Sequence, residues 1–566
     1  MMLQTVPVHV VPRGLTQLWR WRAALLVGLA LSLGMIIEAQ AATTWTVCAS
    51  GCAYNSIKAA IAAPTTGDGD TLAIAAGTYT EPGIIVDKSL TLQGEEAAST
   101  IVQAAASSGT APDRVFTIPS GVSVTLQELT IRYGRTVYGG GLYNLGTLTL
   151  INSTVRSNRA GDRGGGLANH GTLTLTHSTV SGNAASRNGG IENGYYGTLT
   201  LTHSTVSGNG ANQGGGGLGS YGTLTLINSI VRGNMANDGT GGGIENGYGM
   251  LTLTHSTVSG NSAAYGGGLW NAGPLTLTHS TISGNGANRG GGIENDYFAT
   301  LTLTHNTISG NSASSGGGLS GSGTLTLTHS IVANNLGGGD CQISRSITSH
   351  GYNLDSDRSC RLTAATDLPG TDPLLGPLQE NGGPTVTHAL LPGSPALDAI
   401  PWGTHGCGTT LYSDQRWQAR PQPAGGACDI GAYEVGVAGH PIQAWVAGMT
   451  PHTVVCENVS TGQAVTLTDP ASPWDCEAAG LVATSGDQVA LRVRGPVTKG
   501  ATDVGGAVVG MAPSGGGCTN RTTGQQVKFQ ALFQGMPGAT AASCVAAGLV
   551  VQPGDSVQLR VQGAAE

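Results

Sequence analysis

Residues 191–209 read Ile-Glu-Asn-Gly-Tyr-Tyr-Gly-Thr-Leu-Thr-Leu-Thr-His-Ser-Thr-Val-Ser-Gly-Asn, and this stretch decides the fold. Leu199 and Leu201 alternate with Thr198, Thr200 and Thr202. That is the period of a β-strand with one buried face. Val206 supplies a second short strand, and no helical spacing of apolar residues runs through the segment. From Gly139 to Asn335 the same unit recurs eight times as G-G-Φ-x-N, L-T-L-x-[HN] and [VI]-x-x-N. The Φ positions, Leu142, Leu167, Ile191, Leu218, Ile244, Leu269, Ile293 and Leu319, lie 24 to 27 residues apart.

A fixed period of this size marks a solenoid with one turn per unit. With strands only, successive turns must stack in parallel about 4.8 Å apart, so the eight coils predict a rod of about 38 Å. The expected class is all-β, a parallel β-helix. Gly suits its sharp corners. Asn158, Asn183, Asn209, Asn234, Asn261, Asn285, Asn311 and Asn335 form a column whose amides can bond coil to coil, and Asn tolerates left-handed backbone at a turn.

Composition agrees. Only 10% of the 566 residues are charged, against about 25% in an ordinary domain, and 92 are Gly. The net charge of −8 and the lack of a basic stripe argue against nucleic acid as a partner. Arg13, Arg20 and Arg22 precede an apolar run at 23–37 and the small residues Ala39-Gln40-Ala41. This reads as a signal peptide over 1–41, with export to the cell surface or medium and no transmembrane span in the mature chain. The ten cysteines fall in local pairs, Cys48/Cys52, Cys341/Cys360, Cys407/Cys428, Cys456/Cys476 and Cys518/Cys544, which suits disulfides in an oxidising compartment.

Three columns could carry chemistry. His177, His203, His255, His279, His305 and His329 share a register with Asn152 and Asn228. Interchange of His with Asn reads as a polar corner rather than a metal site. Glu192, Glu245 and Glu294 recur on alternate coils, about 9–10 Å apart by the coil spacing. Such carboxylates could flank a glycosidic bond, although duplication of a G-G-I-E-N unit also explains them. The outward Thr149, Thr174, Thr200, Thr225, Thr252, Thr276, Thr302 and Thr326 make a regular array, interrupted nearby by Ile227, Met250 and Pro274. No cofactor or metal is implied.

The repeat G-G-G-L-x-N…S-T-V-S-G-N over about 135–335 resembles that of chlamydial polymorphic outer-membrane proteins and bacterial surface β-helices, with Val or Ile in place of a Phe. The stretches Ser56-Ile57-Lys58-Ala59-Ala60-Ile61, Gly77-Thr78-Tyr79 and Leu90-Thr91-Leu92-Gln93-Gly94 resemble the first turns of pectinesterase-like proteins. That implies a right-handed, pectin-lyase-like β-helix, with no catalytic residue carried over. Residues 330–434 resemble a choice-of-anchor Q region in Asp340-Cys341, Gly351-Tyr352-Asn353-Leu354, Asp414-Gln415-Arg416 and Cys428-Asp429-Ile430-Gly431-Ala432-Tyr433-Glu434. The resemblance implies a cap over the last coil.

Beyond it, Cys456-x-Asn458-x-x-Thr461-Gly462-Gln463 recurs as Cys518-x-Asn520-x-x-Thr523-Gly524-Gln525, and Leu491-Arg492-Val493 as Leu559-Arg560-Val561. The expected plan is a signal peptide at 1–41, a cap and first coils at 42–134, repeats at 135–335 and a C-terminal cap region at 336–435. Two small β-sandwich-like modules follow at 436–500 and 501–566. The leading functional reading is a non-catalytic surface protein for adhesion, or for binding a polysaccharide, cell-surface glycan or matrix. The alternatives are a polysaccharide lyase or hydrolase of the pectin-lyase superfamily, with Glu192, Glu245 and Glu294 as weak catalytic candidates, and an ice-binding protein using the Thr array.

Overall fold

The computed structural model describes residues 42–345, 347–422, 425–435, 443–447, 453–460, 462–468, 474–476, 488–497, 505–509, 511–528, 539–543 and 555–565. The expected signal peptide at 1–41 lies outside them.

Each repeat closes into one coil of four strands, such as Thr198–Thr202, Thr205–Ser207, Gly210–Gln213 and Leu218–Ser220. Like strands of successive coils pair in parallel, giving sheets of 13, 13, 9 and 11 strands. The L-T-L and S-T-V strands match expectation. G-G-Φ-x-N is also a strand, and a fourth short strand precedes it. The solenoid also outruns the repeat. Thr44–Val47, Thr71–Ile74, Thr91–Gly94 and Ser123–Gln127 pair ahead of it, and Ile347–Ser349 follows it. Thirteen strands at the coil spacing span about 58 Å.

The interior is one continuous apolar column. Leu148, Leu150, Leu173, Leu175, Leu199 and Leu201 are fully buried and share it with the Φ residues and Val155, Val180 and Val206. The middle Thr of each L-T-L strand points outward, in register with Thr149↔Thr174 and Thr174↔Thr200.

Corners are set by single residues. The His/Asn column takes left-handed backbone throughout, from His279 at φ 46° to His329 at φ 52°. This accounts for the interchange, because Asn and His are among the residues that most tolerate that conformation. The Asn ladder does not use this tolerance. The residue before it turns left-handed instead, as Gly182 does at φ 61°. At the third corner a side chain has no room, since a Cβ on Gly242 would lie 2.4 Å from the Ser262 carbonyl.

Two directional ladders tie the coils. Asn183 donates its amide to Asn209 Oδ1 at 3.0 Å, Asn209 to Asn234 at 3.0 Å, and so on to Asn311→Asn335 at 3.0 Å. The last amide, Asn335, donates to Asp340 Oδ1 at 2.9 Å. In parallel, the Ser178 N–H donates to Ser204 Oγ at 3.1 Å, and this column ends where the Asn353 N–H meets Asp367 Oδ1 at 3.0 Å. At the other end a helix, Ile57–Ala62, buries Ile57, Ala60 and Ile61 against the core; Ser56 Oγ accepts the Ala59 N–H and Glu81 accepts those of Ile57 and Lys58.

The segment expected to cap the last coil does something else. Its first part extends the coil, with Leu354–Asp355 and Leu368–Pro369 joining the S-T-V sheet. The remainder, about 373–435, folds back along the outside of that sheet as a strap. Gln415 Nε2 donates to Thr257 Oγ1 at 2.8 Å, Thr281 Oγ1 donates to Gln415 Oε1 at 2.6 Å, and the Ala432 N–H reaches Thr307 Oγ1 at 3.1 Å. Leu390, Ala396, Ile400 and Ile430 form a second small core with Ile331 and Leu354. Gln415 and Ala432 thus lie against a side of the solenoid.

Disulfides join Cys48–Cys52, Cys341–Cys360, Cys407–Cys428 and Cys456–Cys476. Cys544 lies outside the described residues. The two tail copies do not close separately, because their strands share a four-stranded and a six-stranded antiparallel sheet. The register sets Trp445 opposite Ala507 and Arg492 opposite Arg560, which are equivalent positions of the duplication, so an internal pseudo-twofold relates the copies.

Leu226→Ala in a central coil is expected to cost about 2–5 kcal/mol in urea unfolding. Asn209→Ala, which orphans buried donors, should cost about 1–3 kcal/mol. Thr225→Ala on the outer face should stay within about 0.5 kcal/mol. A surface Thr as costly as the buried Leu would contradict the inward assignment.

Candidate functional site

In G-G-Φ-x-N the Φ and Asn side chains point inward and x points out. The outward column reads Tyr143, Ala168, Glu192, Gly219, Glu245, Trp270, Glu294 and Ser320, joined coil to coil by the sheet register. All three candidate glutamates therefore share one stripe. They face outward yet are only 3%, 8% and 6% exposed. The stripe is recessed, since its outward carboxylates are nearly buried, and the turns that follow it on alternate coils carry Tyr195, Tyr248 and Tyr297, all exposed.

The three carboxylates differ. Glu192 meets Arg163 at 3.3 Å and Glu294 meets Arg289 at 3.0 Å. Among the described residues Glu245 forms no such ion pair. It accepts the Gly215 N–H at 3.0 Å and the Tyr221 hydroxyl at 3.4 Å. Burial pushes all three acids above the usual carboxylate range, opposed at Glu192 by Arg163 and at Glu245 by its hydrogen bonds. Burial and the Glu245 charge likewise push the Tyr221 phenol up.

Asn188 completes the centre. It stands where neighbouring coils have a left-handed Gly, at φ 54°, and is fully buried. It fills the space over Gly219, where a Cβ would lie 2.0 Å from Asn188 Oδ1. That oxygen accepts the Gly215 N–H at 3.0 Å. Its Nδ2 and the Oε2 of Glu192 are buried with no hydrogen-bond partner among the described residues. A buried donor or acceptor left unpaired costs about 1–3 kcal/mol.

The sequence pointed to the glutamates but not to Asn188, Arg163, Tyr221 or Trp270. The available signal was departure from the repeat: Asn188 interrupts a Gly column, and x is the position that varies most between constant neighbours.

The histidine column lies elsewhere, under the strap for much of its length. Trp417 stacks on His255 with ring centroids 3.9 Å apart, and Arg420 contacts His305 and pairs with Glu434 at 3.2 Å. His329 bonds His305 at 2.9 Å and His405 at 3.2 Å. Among the described residues no group of His, Cys, Asp or Glu is arranged to hold a metal. Burial, helped by the Arg420 charge, drives His255 down to about 4 and His329 to about 3.

The fold is a parallel β-helix. A family model for a right-handed β-helix region matches residues 218–353. Among solved structures the chain is similar to the pectate lyase Pel9A, at 15% identity over 69% of this chain and 96% of that one, TM-score 0.36. It is also similar to the A-module of the Azotobacter vinelandii mannuronan C-5 epimerase AlgE6, at 14% identity over 56% and 91%, TM-score 0.40. A carrot pectin methylesterase matches at 12% identity over 58% and 88%, TM-score 0.26. No curated protein matches the chain. The disulfides fit an extracellular setting, and among the described residues no helix is long and apolar enough to cross a membrane.

Histidines titrate near pH 6.5 when free but far lower beneath the strap. An undocked strap therefore takes up more protons as pH falls, and docking is strongest above about 6.5 and weakens below it. Asp429, raised to about 6 by burial, and Glu434, raised well above its ordinary value by burial, oppose this with two protons against those of His255, His279, His305, His329 and His388. Hydrogen exchange across 385–434 should quicken on going from pH 7 to pH 5, after correction for the intrinsic rate, while exchange across 198–207 should not.

Proposed function

We propose that this chain is an extracellular polysaccharide-binding β-helix whose ligand lies lengthwise in the recessed stripe over the G-G-Φ sheet. The observation that carries the reading is the buried, half-satisfied polar set of Glu192, Asn188 and Glu245, flanked by aromatic rings. Sugar hydroxyls both donate and accept, which matches a stripe of carboxyl, amide and phenol groups. Trp270, Tyr143 and Tyr221 present part of their rings for stacking against sugar faces. From Tyr143 to Trp270 the stripe crosses five coil spacings, about 24 Å, which suits a chain rather than a single sugar. Four disulfides support an oxidising location.

Turnover is the second reading, and Glu245 favours it. It is a buried carboxyl with raised proton affinity and, among the described residues, no ion-pair partner, two coils from Glu192. That separation, about 9–10 Å, sits at the upper edge of the spacing between acid and base in inverting hydrolysis.

Titration against a panel of soluble polysaccharides separates the two. Trp270→Ala should weaken the best ligand about tenfold, the scale of one aromatic anchor. Glu245→Gln should leave binding within a few-fold. If Glu245→Gln instead abolishes release of reducing ends or unsaturated sugars by the parent chain, the stripe is an active site. Binding that ignores both substitutions would place the ligand elsewhere.

A further inference from the structure

Around the coil from the stripe, the outer face of the fourth sheet holds a trough of about 700 Å³ crossing several coils. Its floor is made of small residues, Ala160, Gly161, Ala185 and Ala211, so the backbone itself forms the bed. Asn212 and Asn237 lie farther along it, and Arg135 and Arg159 line its first coils. No Asp or Glu lines it.

The arginines are oddly placed for a fold that uses few charges. Arg135 and Arg159 are exposed and directly opposite each other in register. Three residues earlier, Arg132 and Arg156 also face each other. Like charges on adjoining strands repel. Of the acids near them in the chain, Asp162 pairs with Arg163 and Glu128 accepts the Asn152 amide at 2.7 Å, while Asp113 pairs with Arg114. Arg132 donates to Gln103 at 2.9 Å and Arg135 to the Gly109 carbonyl at 2.7 Å. Arg156 and Arg159 form no ion pair with the described residues. In a chain of net charge −8 this is a local cationic site with an open bed beside it.

We propose that the trough binds an anionic glycan, lying along the solenoid axis with its acidic groups on Arg135 and Arg159 and its hydroxyls on Asn212 and Asn237. Guanidinium is the group best suited to fork onto carboxylate or sulfate. The flat Ala/Gly bed admits a ring, and the repeat of about 4.8 Å along it suits an extended polymer. This site shares no residue with the stripe and does not depend on it.

Two probes, an oligogalacturonate and a heparin-derived oligosaccharide of similar length, test this by calorimetric titration of the full chain at low and moderate salt. At least one should bind, and which one does distinguishes carboxylate from sulfate. Replacing Arg135 and Arg159 together by Ser should weaken binding about a hundredfold, about tenfold per lost charge-assisted contact. The double Arg→Lys variant should keep the salt dependence and recover much of the affinity. Trp270→Ala should leave it unchanged. Failure of both probes to bind, equal binding by the double Ser variant at an unchanged melting temperature, or equally tight Arg-dependent binding of duplex DNA would each overturn the assignment.

Discussion

The structure depends on a hydrogen bond that points one way. Each ladder Asn donates its side-chain amide, and the backbone N–H beside it, to the Oδ1 of the next coil. The column is a chain of donors pushing toward the C-terminus. Such a chain needs a start that only donates and an end that only accepts. The Gly134 N–H opens it onto Asn158 Oδ1 at 2.8 Å, and the carboxylate of Asp340 closes it. The serine column closes on Asp367 by the same logic. Substituting an ordinary amide at either end would leave a buried donor facing another donor. The end of the repeat is thus set by a change of chemistry in these columns, while the apolar core runs on past it.

This explains what the sequence could show. The leucine alternation and the Asn period are local, so the parallel coil and its ladder were legible from residues 139–335. The left-handed role of the His/Asn column was half legible, since its interchange excluded a strict metal ligand but did not by itself reveal the backbone angle. The strap was not legible as a side cover. Its contacts join residues more than a hundred apart, such as Thr257 with Gln415, and no local period reports them. The resemblance of 330–434 to a capping region did not say which surface the segment lies against. The pairing of the two tail copies was hidden for the same reason, because a duplication shows that two units are alike and not that they share sheets.

Recessed function and regular scaffold are kept apart by column. Φ and Asn in G-G-Φ-x-N are constrained by the interior, with Ser220 and Gly321 as departures at the Asn position, while x faces the recess and varies from Tyr to Ala, Glu, Gly and Trp. Alternate glutamates had been explicable by duplication alone. Their surroundings are not duplicated: Glu192 has Arg163, Glu294 has Arg289, and Glu245 has Tyr221 and Asn188 nearby. A repeat copies side chains, but the neighbours contributed by adjoining coils make each copy chemically distinct.

One further column ties the strap to the open face. The residue after the buried Val or Ile of the S-T-V strand is Arg132, Arg156, Ser181, Ser207 and Arg232 on the first coils, then Ser259, Ser283, Ser309 and Ala333. The change falls where the strap begins, because Thr257, Ser259, Thr281 and Ser283 are buried while Ser181 and Ser207 remain partly open. An arginine beneath the strap would have to lose its water without a matching acid, at a cost of several kcal/mol. In this column Ser283 instead bonds His388 Nε2 at 2.9 Å, and the neighbouring Thr281 and Thr257 donate to Gln415 and the Val386 carbonyl. Charge in this column is therefore a record of exposure. Read in reverse, it divides the sheet into a C-terminal half that the chain covers with its own strap and an N-terminal half, bordered by the trough, that keeps its arginines for solvent or a ligand.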